Sequence, residues 1–234
     1  MKTYQELVEG LNDPNIFKAF FLAGGPGSGK SFVVGKTTGG TGLKIVNSDD
    51  VFEKYLKDAG FEMDMTTAKA ELQQEPRDKL RDRAKVVTKM KQDNYVDGRL
   101  GLVIDGTGAD YDKIVRQSIG LKQLGYDTHM IYVNTSLDVA LDRNSKRERK
   151  VSTSIATKSW KDVQANLGKF SQHFRRNMII VDNNDVLEDD GTVFNNVLRQ
   201  VRGLLKKKVR NPTAHQWIDM EMKRRGITKK PKGF

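Results

Sequence analysis

A glycine-rich octapeptide places the strongest constraint on the fold of this chain. Residues 24–31 read Gly-Gly-Pro-Gly-Ser-Gly-Lys-Ser, a complete match to the pattern G-x-x-x-x-G-K-[ST]. An apolar run, residues 17–22, precedes the octapeptide, and a segment that we expect to be helical, residues 30–37, follows it. This order predicts a strand, a phosphate-binding loop and a helix. Glycines let successive backbone N–H groups point at phosphate oxygens, and the helix adds the positive end of its dipole.

The loop residues have distinct predicted roles. The predicted nucleotide cradle consists of consecutive residues, Gly25, Pro26, Gly27, Ser28 and Gly29. In loops of this type the lysine, here Lys30, bridges the β- and γ-phosphates, and the hydroxyl that follows, here Ser31, ligates Mg²⁺. The motif therefore predicts ATP and Mg²⁺ as cofactors. A second glycine cluster, residues 39–42, lacks the lysine, and we interpret it as a connector.

Four more apolar runs follow at intervals that leave room for crossover helices. We expect these strands at 43–47, 100–105, 129–133 and 178–181. We expect helices at 50–59, 67–92, 111–124, 137–150, 159–170 and 192–207. The alternation predicts a three-layer α/β fold with a central parallel five-stranded sheet. Residues 61–97 are longer than a crossover requires, so we interpret them as a helical insertion in which Pro76 starts a new helix.

Carboxylates follow two of the predicted strands. Asn47-Ser48-Asp49-Asp50 follows the second strand, and Asp105 closes the third, two residues before Thr107. The carboxyl ends of parallel strands open onto one crevice, where Asp49 or Asp50 can accept the proton of an attacking hydroxyl. Asp105 resembles a Walker B position, which can hold Mg²⁺ or orient the acceptor. Structural roles are the alternatives: Asp50 or Asp49 can N-cap the next helix, and Asp105 can start an Asp-Gly turn.

An arginine-rich segment supplies candidate cations. Residues 143–150 contain five basic side chains, and Arg143, Arg147 and Lys150 share one face if this segment is helical. We expect an arginine-rich helical lid, about 137–155, that closes over the nucleotide and places an arginine against the transferred phosphoryl group. Arg149 is a candidate for contact with the acceptor. A solvated basic face is the alternative.

Together these motifs resemble the kinase domain of bacteriophage polynucleotide kinases and the zeta-toxin-like kinases. The resemblance rests on residues 25–31, Asn47-x-Asp49-Asp50, Asp105 with Thr107, and residues 143–147. It implies a P-loop kinase fold, Asp49 as general base, Lys30 and Arg147 as cations that stabilise the transferred phosphoryl group, and Arg143 as an ATP contact. Asp50, Thr107 and Arg149 would then lie near the acceptor. Phe52 departs from the pattern, because the phage family carries there an arginine that binds the acceptor's phosphate.

Composition excludes several classes of protein. The 234 residues include no cysteine and three histidines, so a disulfide framework, a thiolate zinc site and a thiol nucleophile are excluded. No apolar run approaches the roughly 20 residues that span a bilayer. The first segment carries Glu6 and Glu9 instead of a basic head. We therefore expect a cytoplasmic protein without membrane contacts, in the host cytoplasm if a phage encodes it.

Positive charge is concentrated at the end of the chain. The net charge is +11, and residues 206–234 contain ten Lys or Arg against two acidic residues. We expect a kinase domain, 1–205, and a basic tail, 206–234, that contacts nucleic acid. In this tail Asn211-Pro212 should break the chain, Thr213 should N-cap a short helix that reaches Arg225, and the Lys/Pro/Gly-rich end should be disordered. Trp217 can pack that helix onto the body or stack on bases.

The leading hypothesis is an ATP- and Mg²⁺-dependent kinase that phosphorylates a hydroxyl of a polynucleotide, with the 5′-hydroxyl end of DNA or RNA as its acceptor. A switch GTPase is disfavoured because the guanine-reading N-K-x-D element is absent. One alternative keeps the chemistry and changes the acceptor to a hydroxymethylated base in phage DNA or to a nucleotide sugar. Another alternative is a non-catalytic, ATP-gated nucleic-acid binder.

Overall fold

The structure is a computed structural model that describes residues 10–184, 192–231 and 234. The expectations for Glu6, Glu9 and Lys232 lie outside these residues. Within them, no helix combines the length and the apolar character that crossing a membrane requires.

A five-stranded parallel sheet forms the centre of the fold. Its strands are β1 (Lys18–Ala23), β2 (Lys44–Val46), β3 (Leu102–Ile104), β4 (Asp127–Asn134) and β5 (Met178–Asp182). The order across the sheet is β2-β3-β1-β4-β5, and each neighbouring pair is parallel. All six residues of β1 are buried, as expected for a strand covered on both faces. The predicted α/β fold with five parallel strands is confirmed.

Nine helices surround the sheet in the described part of the chain. They are α1 (Lys30–Thr38), α2 (Ser48–Asp58), α3 (Ala68–Leu72), α4 (Gln74–Asp97), α5 (Tyr111–Gln123), α6 (Leu137–Ser145), α7 (Thr153–Phe174), α8 (Thr192–Leu205) and α9 (Pro212–Arg225). Two short 3₁₀ turns complete the elements, Gly10–Asn12 and Arg175–Asn177.

Alternating side chains of β1 separate two layers of the core. Phe21 belongs to the apolar cluster that includes residues of α5, α7 and α9. Phe20 and Leu22 belong to the cluster on the opposite face, which includes residues of α1 and α8. A third, smaller cluster contains Phe52 of α2 and Ala84 of α4, so it attaches the helical insertion to the body. These layers place the carboxyl ends of all five strands at one edge of the molecule.

The helical insertion contains two helices where one long helix is predicted. The helices α3 and α4 meet at Gln73, and Pro76 lies in the first turn of α4. Proline is tolerated in a first turn because the N–H that it lacks has no partner within the helix there. The prediction that Pro76 starts a new helix is therefore confirmed.

The helix of the lid is shorter than predicted, since α6 ends at Ser145 and not at Lys150. The Asn144 side chain donates to the carbonyl of Val151 at 2.8 Å and accepts from the Val151 N–H at 3.4 Å, which folds the next residues back. Arg147 and Lys150 therefore share no helical face with Arg143, and that part of the prediction is wrong. In contrast, α7 extends beyond its predicted bounds, 159–170, at both ends, because Ser152 caps it early and its buried positions continue to Phe174.

The basic tail forms a packed helix at the amino ends of the strands. Asn211, not Thr213, caps α9 by accepting from the Thr213 N–H, and Pro212 is its first helical residue, so Asn211-Pro212 begins the helix. Trp217 packs edge-on against Phe17 with the ring centroids 5.6 Å apart, which confirms packing onto the body. Phe234 lies 6.0 Å from the Phe17 ring. The last described residue is therefore packed, contrary to the expectation of disorder, because its ring completes this aromatic cluster.

Candidate active site

The glycine-rich loop connects the carboxyl end of β1 to α1. Gly27 and Gly29 both have a φ of 78°, in the left-handed region that favours glycine. A Cβ at Gly27 would lie 1.9 Å from the carbonyl oxygen of Ala140, so a side chain cannot fit there. Side chains cap α2, α3, α5, α6, α7 and α9. Gly29 gives α1 no such cap, which leaves its first N–H groups available to an anion.

Neighbouring strand ends fix the position of the loop. The Gly24 N–H donates to the carbonyl of Thr107 at 2.8 Å, beyond β3. The Asn183 side chain, just after β5, donates to the carbonyl of Ser28 at 2.6 Å. Sequence analysis missed Asn183, although its position directly after a predicted strand was a signal. The loop is therefore anchored from two other strands of the sheet.

A cavity of about 470 Å³ opens in front of the loop, and we call it the loop cavity. Every predicted site residue lines it: Gly25, Pro26, Gly27, Ser28, Gly29, Lys30, Ser31, Asp49, Asp50, Asp105, Thr107, Arg143, Arg147 and Arg149. They come from segments between the loop after β1 and the residues that follow α6, more than 100 positions apart in the chain. The order of the strands thus brings together the residues that the motifs single out.

Lys30 and Asp105 form an ion pair in the loop cavity. Their side chains are only 14% and 8% exposed, so little water screens the pair. The Asp105 N–H donates to the carbonyl of Val46 at 2.9 Å, which continues the pairing of β2 with β3 and holds the carboxylate at the edge of the sheet. The carboxylate after β3 therefore lies beside the lysine that such loops place against phosphate.

The first turn of α2 presents two carboxylates to the cavity. Asn47 caps this helix: its side-chain oxygen accepts from the Asp49 N–H at 2.8 Å, and its amide nitrogen donates to Asp50 at 2.8 Å. The predicted N-cap role of Asp50 or Asp49 is wrong. The helix begins at Ser48, two residues earlier than predicted, so the capping position falls on Asn47.

Arg149 connects the lid to these carboxylates. Its guanidinium lies 3.3 Å from Asp49 and 2.8 Å from Glu53. Arg149 is only 12% exposed, whereas Asp49 is 52% exposed and faces the cavity. Sequence analysis missed Glu53, although it lies one helical turn after Asp49 and shares its face. Phe52, the departure from the family pattern, is covered by the guanidinium groups of Arg149 and Arg81, 5.8 Å and 4.6 Å from its ring.

The two carboxylates of this turn differ electrostatically. Partial burial raises the pKa of Asp50, and the neighbouring carboxylates of Asp105, Glu53 and Asp49 raise it further. The charge of Lys30 acts in the opposite direction. Asp50 is therefore electrostatically coupled to the Lys30–Asp105 pair, whereas Asp49 is ion-paired to the lid.

The lid arginines are held to different degrees. Arg143 donates to the backbone carbonyls of Asn183 at 2.7 Å and Asn184 at 3.2 Å, which ties α6 to the segment after β5. Arg147 lines the cavity, and its side chain has no hydrogen-bond or ion-pair partner among the described residues. Lys150 pairs with Asp64 of the insertion at 3.0 Å. Two arginines of the predicted set, Arg143 and Arg147, are thus near the loop, while Lys150 ties the lid to the insertion.

Oxygen ligands for a metal ion are few at this site. Across the described ranges, no group of three or more His, Cys, Asp or Glu side chains is arranged to hold a metal. Ser31 and Asp105 both line the loop cavity beside Lys30. One hydroxyl and one carboxylate suit Mg²⁺, which commonly takes its other ligands from water and from phosphate oxygens of the substrate. These two residues therefore fit a magnesium site that a nucleotide completes.

Comparison with protein families gives one match over most of the chain. The profile of the family described as Zeta toxin matches residues 11–192. This range contains the whole sheet, the loop and all the predicted site residues. No curated protein matches the chain in a sequence search.

Several solved structures match this chain at low sequence identity. A candidate kinase from Chloroflexus aurantiacus is 14% identical, with a TM-score of 0.54, over 80% of this chain and 98% of the other. The AvrRxo1-ORF1:ORF2 complex with ATP matches at 16% identity and a TM-score of 0.50, over 76% of this chain and 61% of that one. A gluconokinase from Sinorhizobium meliloti matches at 13% identity and a TM-score of 0.46, over 81% and 97%.

Proposed function

Because this chain belongs to the zeta toxin family and is a P-loop kinase, we propose that it transfers the γ-phosphate of ATP to an alcohol, with Asp49 as the general base. The observation that carries the proposal is the convergence of Lys30, Asp105, Asp49 and the lid arginines on one cavity. Phosphoryl transfer depends mainly on positioning and on stabilising charge, and this cavity has groups for both.

The cations of the cavity divide into nucleotide-binding and catalytic groups. The uncapped N-terminus of α1 and the Lys30 ammonium would bind the phosphates of ATP. Arg143 is held by two carbonyls beside the loop, so we assign it to binding the nucleotide. The Arg147 side chain has no hydrogen-bond or ion-pair partner among the described residues, so we assign it to the charge that develops on the transferred phosphoryl group.

Ser31 and Asp105 are the proposed holders of Mg²⁺. A bound Mg²⁺ would neutralise charge on the phosphate oxygens. In this structure the Lys30 ammonium forms an ion pair with the Asp105 carboxylate. Phosphate oxygens would compete for the Lys30 ammonium, and this competition would release the carboxylate.

Asp49 is the proposed acceptor of the proton. The acceptor oxygen forms a bond to the γ-phosphorus, the bond from that phosphorus to the β,γ-bridging oxygen breaks, and ADP leaves with the bonding electrons. The proton of the acceptor hydroxyl passes to the Asp49 carboxylate. Arg149, 3.3 Å away, orients this carboxylate. Asp50, whose pKa is influenced by Lys30 and Asp105, is the proposed contact with the acceptor.

The 5′-hydroxyl of DNA or RNA is the acceptor that the sequence predicts, and we retain it as the first candidate. The basic tail gives it less support than expected, since α9 packs against residues at the amino ends of the strands, away from Lys30. A nucleotide sugar is the second candidate. It is favoured by the compact volume of the cavity that adjoins Asp105, about 320 Å³.

Transfer of label from γ-labelled ATP tests the proposal. The acceptors are a 5′-hydroxyl oligonucleotide, DNA with a hydroxymethylated base, and a UDP-sugar, each in a separate reaction. We expect label on one of them with the natural chain and none with Lys30→Ala. A chain that binds ATP and labels no alcohol, while it retains nucleic-acid binding with Asp49→Ala, would be the non-catalytic binder instead.

A further inference from the structure

The lid residues that follow α6 are held by contacts with other parts of the chain. Asn144, near the end of α6, bonds to both backbone groups of Val151, at 2.8 Å and 3.4 Å. Arg149, two residues before Val151, pairs with the candidate base Asp49 at 3.3 Å. Lys150, the residue between them, pairs with the helical insertion instead. The position of Arg149 therefore depends on what holds Lys150.

A turn at the start of the insertion holds Lys150 at two points. The Met65 N–H donates to the carbonyl of Lys150 at 3.2 Å. The Lys150 ammonium pairs with the Asp64 carboxylate at 3.0 Å. One contact fixes the backbone of Lys150 and the other fixes its side chain. Together they restrict the peptide that precedes Lys150, which is the peptide that carries Arg149.

The carboxylate of Asp64 is itself held in place. It accepts from the Thr66 N–H at 3.0 Å and from the Thr66 hydroxyl at 2.6 Å. These hydrogen bonds, together with Lys150, lower the pKa of Asp64 to about 2, so the carboxylate is ionised at neutral pH. The side chains of Asp64 and Lys150 are 22% and 38% exposed, so water screens this pair less than a fully exposed one.

Contacts from α2 hold the other end of Arg149. Two carboxylates of this helix compete for its guanidinium, Glu53 at 2.8 Å and Asp49 at 3.3 Å. Glu53 is the less exposed of the two, 33% against 52%. If the backbone beside Arg149 were free, the guanidinium could pair with Glu53 alone and leave Asp49 unoriented. The anchor at Lys150 therefore matters for the contact with the candidate base.

We propose that Asp64 and Lys150 are positioning residues for phosphoryl transfer: they fix the backbone beside Arg149, so that its guanidinium orients the Asp49 carboxylate towards the acceptor's proton. This assignment rests on the proposed kinase function, and it gives the start of the insertion a role in the reaction. Neither positioning residue is among the described residues that line the loop cavity. ATP binding should not depend on them, because other contacts hold the phosphate loop and Arg143.

Substitution of either partner tests the assignment. Asp64→Asn keeps an oxygen that can accept from Thr66 and removes the charge that pairs with Lys150, whereas Lys150→Met removes the other partner. The acceptor is the one that the natural chain labels among the oligonucleotide, the modified DNA and the UDP-sugar. Each variant should lower kcat about 3- to 10-fold and keep the Kd of ATP within about twofold, because Asp49 remains but is less well oriented.

Two further variants separate this role from a general loss of structure. Lys150→Arg can keep the ion pair, so it should retain more of kcat than Lys150→Met. The double variant Asp64→Asn, Lys150→Met should lose no more kcat than the more affected single variant, because residues that act through one contact are not additive. The matched control is Lys158→Met, which removes the lysine of an exposed pair with Asp162 on α7 and should leave kcat unchanged.

Trypsin cleavage after Arg149 tests the positioning without catalysis. Release of Lys150 should let this part of the lid open more often, and the rate of cleavage follows the population of the open form. Asp64→Asn should therefore raise the rate at this bond about 3- to 5-fold relative to other sites in the same digest, the range of a modest ion pair. Lys158→Met should leave the rate unchanged.

Any of four results would overturn the assignment. They are natural kcat in Asp64→Asn, losses that multiply in the double variant, equal kcat in Lys150→Arg and Lys150→Met, and an unchanged rate of cleavage after Arg149 in Asp64→Asn. Failure of the kinase proposal gives a different pattern, in which Asp64→Asn accelerates the cleavage but the natural chain labels no alcohol.

Discussion

The two edges of the central sheet use the same side-chain chemistry for different purposes. At the amino edge the Lys18 ammonium is buried and donates to Asp127 at 2.6 Å and to the carbonyl of Lys207 at 2.7 Å. At the carboxyl edge the cations and carboxylates line an open cavity, and the Arg147 side chain has no hydrogen-bond or ion-pair partner among the described residues. The Lys18 charge at the amino edge is thus paired within the protein, whereas we propose that the groups at the carboxyl edge bind ATP and the acceptor. Substitutions at the carboxyl edge should therefore change activity, and substitutions at the amino edge should change stability.

The largest expected effect is at the carboxyl edge. Asp49→Asn should lower kcat by about 10²- to 10⁴-fold, the usual contribution of a general base, with ATP affinity largely kept. The free energy of unfolding should hardly change, because Asp49 is half exposed. Single-turnover transfer and ATP titration measure the two quantities.

The matched control is Asp58→Asn, which changes an exposed carboxylate at the other end of the same helix. An Asp49→Asn variant with normal kcat would remove the base from the mechanism and point to Asp50 instead.

The next effect is at the amino edge. Ile218 of α9 is fully buried in the core cluster, so Ile218→Ala should lower the free energy of unfolding by about 2–4 kcal/mol. The kcat of the folded fraction should stay unchanged, because the substitution lies at the opposite edge from Lys30. Urea denaturation followed by an activity assay at low temperature checks both expectations.

Met220→Ala is the control, since Met220 lies on the same helix and is 65% exposed. A large loss of kcat with Ile218→Ala and none with Met220→Ala would indicate that the two edges are coupled.

A smaller effect depends on pH. Burial, together with the charges of Lys18, Lys207 and Lys122, lowers the pKa of His129 to about 3. The folded chain keeps this ring neutral, stacked 4.9 Å from Phe20, whereas the unfolded chain protonates it below about pH 6.5. Stability from this group is complete above that pH and is lost as the pH falls towards 3, by about 2 kcal/mol at pH 5.

Urea midpoints at pH 7.5 and 5 measure this dependence. His129→Phe, which keeps a ring against Phe20, should reduce it by that amount. An unchanged dependence in the variant would mean that other groups cause it.

The smallest effect concerns the basic tail. Lys223→Gln with Lys229→Gln should leave kcat/KM for a short acceptor within about twofold, because exposed charges beyond a Debye length of roughly 10 Å are screened. Affinity for long DNA and its salt dependence should fall if the tail contacts nucleic acid as the sequence predicts. A large change with the short acceptor would contradict the separation of the two edges.

Local sequence patterns were sufficient to predict the fold. The apolar runs predicted all five strands, and the octapeptide at 24–31 predicted the loop, because each signal lies within a few consecutive residues. The motifs also identified Asp49, Asp105 and Arg147, which the structure places around one cavity.

Features that depend on contacts distant in the chain were missed. The early end of α6 results from Asn144 bonding to Val151, which a helical periodicity cannot reveal. Asn183 acquires its role only when the end of β5 reaches the loop. The sequence shows the positive charge of the tail, but the position of the tail in the fold depends on its apolar residues. Ala214, Ile218 and Met222 lie on one buried face of α9, and this face packs the helix onto the body.

The contact of Gly27 with Ala140 has a consequence for how such chains diversify. The backbones of the lid helix and the phosphate loop approach so closely there that a side chain at Gly27 would clash with Ala140. The residues between Ser145 and Val151 are not constrained in this way. Insertions or deletions there would change the positions of Arg147 and Arg149 and leave the phosphate loop unchanged. Related chains could therefore change their acceptor and keep ATP as the phosphate donor.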